Sequence, residues 1–205
     1  FRVVFIPFAN GQPTGEWSTF AIDAESPTGL RASGVAVGPD GAHPTLQSAL
    51  DVAVANDADD NILVQSGVIP TIDASAIHAE NRYLEIIGGW NADFSSATAD
   101  PASTLLKGNG LQPVLAFTVS GGQVVIRHLS IADGRAPNGG GVEISVEGSA
   151  RFELSDCIVR NNVAIGAPNA AGGGARISLF ADAQAELARC RFEGNRAEAG
   201  TAAGG

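Results

Sequence analysis

The chain has no methionine, a single lysine (Lys107), one tyrosine and two cysteines among its 205 residues, and aromatics make up only 6% of it. With so few rings, a core has to be filled by Val, Ile, Leu and Ala. No apolar run approaches the ~20 residues of a membrane-spanning helix, so no transmembrane segment of that kind is expected. Basic charge is scarce as well: 12 Lys and Arg against 22 Asp and Glu leave a net charge of −10. That balance excludes nucleic acid as a partner, because no basic stripe exists to displace its counterions. Charged residues are nonetheless only 17% of the chain and hydrophobic ones 44%, a balance that suits a folded domain and not a disordered one. With no methionine and no basic, then apolar, leader at Phe1, these residues are expected to be a processed or excised piece.

Glycine is plentiful, with 26 residues, and it punctuates a repeat. Val124 to Ile131 (VVIRHLSI) aligns with Phe152 to Val159 (FELSDCIV) and with Ala185 to Phe192 (AELARCRF), at offsets of 28 and 33 residues. In a second register, Gly139 to Val146 (GGGVEISV) aligns with Gly172 to Leu179 (GGGARISL), again 33 residues on. The extra length of the longer unit falls in the Gly, Asn, Pro and Ala stretch 164–171, where an insertion bulges from the surface as a loop. Another repeat is expected to begin at residues 201–205 (TAAGG), and more chain beyond it.

Each unit holds short runs alternating apolar and polar residues, broken by Gly or Asn and too short for helices. Three strands per repeat, each laid over its equivalent in the next, predict an all-β fold: a right-handed parallel β-helix. Like residues then pile into inward columns: Ile126, Leu154 and Leu187; Leu129, Cys157 and Cys190; Ile131, Val159 and Phe192. In the first half the same plan places strands at 62–64, 84–87, 104–106 and 115–119. One helix stands out at 44–56, where Pro44 and Thr45 precede Leu46, Ala49, Leu50 and Ala53 on one face. It is expected to cap the N-terminal end of the stack, which would otherwise expose unpaired strand edges. The division is therefore 1–43 as a strand-containing extension and 44–205 as cap and β-helix.

Gly139 to Val142 (GGGV) and Gly172 to Ala175 (GGGA), together with Phe192-Glu-Gly-Asn195 and Val159-Arg-Asn-Asn162, resemble the GGA[ILV] and FxxN repeats of the polymorphic outer-membrane-protein family. Residues 45–67 resemble the capping helix and first strand of pectate-lyase-like β-helices. Gly88 to Phe94 (GGWNADF), followed by Asp100-Pro101, is similar to a segment of exported bacterial β-helix proteins. The resemblance runs from about residue 44 to the end and departs from the family at Ile131 to Gly134, where the motif's Asn is Gly. It implies an exported protein, at the cell surface, outer membrane-associated or periplasmic. The superfamily spans polysaccharide lyases, adhesins and plain stalks.

The candidate chemistry is thin. Asn162 and Asn195 occupy one turn position in adjacent repeats and read as an asparagine ladder, with glycan contact as the alternative. Cys157 and Cys190 read as buried thiols, although the stack spacing also admits a disulfide. Asp57, Asp59, Asp60 and Asn61 open like a calcium loop, but Ile62 and Val68 stand where Gly and Glu are required, so the run reads as a solvated helix-to-strand turn, with an adventitious calcium site as the alternative. His43, His78 and His128 are scattered and receive no role. The outward residues Arg127, Asp156, Arg160, Arg189 and Arg191 are candidate contacts for an acidic polysaccharide; Trp90 and Phe94 read as plugging a loop onto the barrel, with contact to a sugar ring as the alternative. Acids and bases alternate along that wall with no carboxylate cluster, so an ion-paired solvated face is the default. No catalytic, cofactor or metal residues are assigned. The expectation is a non-enzymatic stalk, adhesin or accessory subunit meeting a glycan, a protein or a larger complex; the alternative is a polysaccharide lyase or hydrolase.

Overall fold

The computed structural model describes residues 2–5, 8–9, 12–13, 18–21, 34–55, 59–71, 74–78, 81–166 and 170–199. The fold is all-β with one helix, and its main sheets are parallel. A six-stranded sheet is built, in spatial order, from Gln184–Ala188, Arg151–Ser155, Gln123–Arg127, Tyr83–Trp90, Asp60–Gln65 and Gly34–Val37. A five-stranded sheet stacks Arg191–Glu193, Ile158–Arg160, Ser130–Ala132, Thr104–Gly108 and Gly67–Thr71. A four-stranded sheet stacks Ala175–Leu179, Val142–Val146, Leu115–Val119 and Ser75–His78. The chain visits the three in fixed rotation, an arrangement compatible with a β-helix.

Register follows the apolar columns read from the sequence. Ile126 pairs with Leu154 and Leu154 with Leu187; Ile131 pairs with Val159 and Val159 with Phe192. Ile126, Leu154, Ile131 and Val159 are all fully buried, and each aliphatic side chain so enclosed contributes about 1.5–3 kcal/mol. In the final repeat, over which no described strand lies, Leu187 is 50% and Phe192 44% exposed. The strands expected at 62–64, 84–87, 104–106 and 115–119 lie within Asp60–Gln65, Tyr83–Trp90, Thr104–Gly108 and Leu115–Val119.

Two features go beyond the sequence reading. A fourth parallel ladder of short strands, Arg135–Ala136, Val163–Gly166 and Arg196–Ala199, appears in the later repeats, where three strands per repeat were expected. Its physical basis is the turn before it, where the side-chain amides described below bind one repeat to the next. Secondly, Gly34–Val37 pairs in parallel with Asp60–Gln65, so the parallel sheet crosses the boundary drawn at residue 43. Of the remaining extension, the chain shows two antiparallel pairs, Arg2–Phe5 with Ser18–Ala21 and Phe8–Ala9 with Gln12–Pro13.

The helix runs over Leu46–Ala55; Asn56 and Asp57 lie outside the described residues. Thr45 sets its start: its Oγ1 accepts the Ser48 N–H at 3.2 Å, and the Ser48 hydroxyl donates back to the Thr45 carbonyl at 2.9 Å. Leu46, Ala49, Leu50 and Ala53 are buried in the common core. Gln47 ties the helix to the sheet: its Nε2 donates to the Ser75 carbonyl at 3.0 Å and its Oε1 accepts the Ser75 N–H at 2.8 Å.

Candidate functional site

The corner between the six- and five-stranded sheets is the most chemically furnished place in the fold. In the last three passages the chain turns in two residues: His128-Leu129, Asp156-Cys157, Arg189-Cys190. The first of each pair lies in the left-handed region, with φ of 57°, 50° and 51° respectively, a conformation that non-glycine residues seldom adopt. Backbone bonds join the corners vertically: Ile158 N–H donates to Leu129 O at 3.1 Å, Arg191 N–H to Cys157 O at 2.9 Å, and Asp156 N–H to Ala188 O at 3.0 Å. One column therefore faces outward (His128, Asp156, Arg189) and the other inward (Leu129, Cys157, Cys190).

The outward column is a charge stack. Arg189 grips Asp156 through Nε at 2.6 Å and Nη2 at 2.7 Å, while His128 Nε2 lies 3.9 Å from Asp156 Oδ2. The Arg189 bond holds the Asp156 carboxyl below its ordinary range. Burial, aided by the neighbouring Arg127 charge, lowers His128. Arg127 in turn is ion-paired with Glu85, whose side chain is fully buried.

The inward column ends in two free thiols. Cys157 is buried, and desolvation raises its pKa well above the usual thiol value. Cys190 is half-buried, and its hydrogen bond with the Cys157 thiol brings its pKa down to about 7. Cys157 Sγ donates to the Ser155 carbonyl at 3.2 Å, and Cys190 Sγ to the Leu154 carbonyl at 3.2 Å.

The next corner carries the asparagines. Asn162, fully buried, donates from Nδ2 to Ile131 O at 3.1 Å and to Asn195 Oδ1 at 3.1 Å, and its Oδ1 accepts the Gly134 N–H at 2.9 Å. Asn195 Nδ2 donates to Val159 O at 2.7 Å. These amides are spent on the backbone. At Gly134, where the motif loses its Asn, a Cβ would stand 2.0 Å from Gly140 O; this steric block explains the departure.

The other expected contact residues disperse. Arg191 pairs with Glu193 at 2.5 Å and is exposed, and Arg160 sits half-buried one register position below Glu193. Trp90 is 5% exposed and its ring packs into the wall, so it does not stand out to meet a sugar. Phe94, half-buried at φ 55°, closes a tight turn in which its N–H donates to Asn91 O at 3.1 Å. Asp59 Oδ1 accepts the Tyr83 N–H at 2.8 Å, so that carboxylate of the calcium-like run is engaged in fastening strands. Among the described residues no group of three or more His, Cys, Asp or Glu gathers.

Two elements of this geometry escaped the sequence reading. His128 completes the Asp156 and Arg189 column, and the 28-residue offset that aligns Leu129 with Cys157 was the signal for it. A shallow trough of about 540 Å³ lies on the four-stranded sheet, where Thr118, Ser145 and Ser178 stack in register beside the Glu143–Arg176 ion pair.

Compared with protein-family models, curated proteins and solved structures, the chain matches none.

Proposed function

We propose that the chain is a right-handed parallel β-helix of the pectate-lyase-like kind, with Leu46–Ala55 as its N-terminal cap, and that it serves an exported bacterial surface protein as a rigid stalk, adhesive segment or accessory subunit without catalytic activity. One observation carries this reading: inward positions are filled by aliphatic columns, while the outward charges are consumed by neighbouring side chains, Arg189 by Asp156 and Arg176 by Glu143 across the stack and Arg191 by Glu193 within its own strand. An enzyme acting on acidic sugars needs a base and carboxylates convergent on one substrate position. Cell-surface or outer-membrane placement, and a glycan or protein partner met through the 91–103 loop, belong to the same proposal.

The test is incubation with a panel of acidic and neutral polysaccharides, with and without calcium, followed by ultraviolet absorbance and reducing-end assay, alongside binding of the same glycans on a surface. Binding, or no interaction, with no product supports the scaffold. A calcium-dependent rise in absorbance from unsaturated products overturns it in favour of a lyase, and new reducing ends without that rise in favour of a hydrolase.

A further inference from the structure

The two thiols of the inward corner column have the geometry of a metal site. Cys157 and Cys190 occupy equivalent positions on adjacent repeats, fixed by the in-register pairs Ser155 with Ala188 and Ile158 with Arg191 on either side. Neighbouring strands stand about 4.8 Å apart. A disulfide requires sulfurs about 2.0 Å apart and side chains that converge, whereas stacked residues project side by side. Even two bonds of the zinc–thiolate length, about 2.3 Å, placed in line span about 4.6 Å, so an ion held between two thiolates fits within the strand spacing. We propose that Cys157 and Cys190 together form a two-coordinate site for a soft monovalent d10 ion of the Cu(I) class.

Selectivity follows from what the corner holds. Thiolates favour Cu(I) over hard cations. A four-coordinate ion such as Zn²⁺ needs two further donors, and no third His, Cys, Asp or Glu joins the pair among the described residues. The thiol hydrogens are given to backbone carbonyls, Cys157 to Ser155 O and Ile126 O and Cys190 to Leu154 O and Ala188 O. Binding replaces two S–H protons by one cation, releasing both protons to solvent and leaving a complex of charge −1. Affinity therefore rises with pH. Entry is from the Cys190 side, which is partly exposed, while Cys157 is closed off.

The experiment is anaerobic titration of the full chain with Cu(I) held by a coloured competing chelator, with Zn(II) as control. The expected result is one Cu(I) per chain, competition lost in both Cys157→Ser and Cys190→Ser, and no displacement by equimolar Zn(II). Circular dichroism and a thermal midpoint establish that the serine variants fold. Should they not fold, the parent chain decides the matter: one equivalent of Cu(I) must protect both thiols from alkylation together, as read by intact mass. Two ions per chain, full-strength competition by either single-cysteine variant, equal displacement by Zn(II), or protection of one thiol alone overturns the proposal.

Discussion

Arg189 holds both carboxylate oxygens of Asp156, at 2.6 and 2.7 Å, although the two residues lie 33 positions apart in the chain. His128 stands beneath them, and the stack predicts how acid acts on the fold. Asp156 has its folded-state pKa depressed below the ordinary 3.8 by the Arg189 bond. Its contribution is thus complete above that value and is lost as pH falls through the depressed one. His128 is depressed below 6.5 by burial. The unfolded chain therefore takes up that proton first, and stability declines as pH drops from about 6.5 toward the lowered value. Thermal unfolding from pH 8 to pH 2.5 is expected to show two successive losses, the upper one absent in His128→Asn and the lower one reduced in Arg189→Gln. Profiles of both variants parallel to the parent's would contradict this.

Asn162 and Asn161 are neighbours with opposite fates. Replacing Asn162 with Ala orphans the buried Gly134 N–H and the Ile131 carbonyl; at ~1–3 kcal/mol for each unsatisfied group, a loss of about 2–6 kcal/mol is expected. Asn161 is exposed at φ 54°, and Asn161→Gly is expected to change stability by less than about 1 kcal/mol. Urea unfolding of both variants makes the comparison, and equal effects would refute it.

Gly134→Asn restores the repeat motif and is nevertheless expected to destabilise. The new Cβ would meet Gly140 O at 2.0 Å and Val114 Cγ2 at 2.8 Å, and overpacking of this kind costs about 1–3 kcal/mol or more. A higher denaturation midpoint for the variant would show that the corner has room after all.

Leu154 and Leu187 pair in register but differ in cover, fully buried against 50% exposed. Leu154→Ala is expected to cost about 2–5 kcal/mol and Leu187→Ala about 1 kcal/mol, read from the same unfolding curves. Similar losses would mean that the outer repeat is as enclosed as the inner one.

The columns Ile126, Leu154, Leu187 and Ile131, Val159, Phe192 were legible because hydrophobic spacing within a repeat is kept while loop length drifts. The ladder from Arg135–Ala136 to Arg196–Ala199 was not: strands of two to four residues rich in Arg, Ala and Gly carry no alternation to read. The Arg127–Glu85 pair was hidden for another reason. The 91–103 loop stretches that repeat, so no constant offset ties Glu85 to Arg127, and a carboxylate within the strand sequence YLEIIGGW gives no sign of its depth. The corner thiols were visible as a column, but the lowered pKa of Cys190 follows from a hydrogen bond that only the stacked geometry supplies.

Leu84 lies over Asp60, Val124 over Leu84, Phe152 over Val124 and Ala185 over Phe152, although the chain spends a different length on each circuit. Natural variation is thereby partitioned. A residue gained or lost in 91–103 alters only the contour of the surface. The same change inside a strand such as Arg151–Ser155 turns the side chains that follow it in that strand inside out, so descendants of this sequence can diversify their outline freely while their interior spacing must be inherited whole.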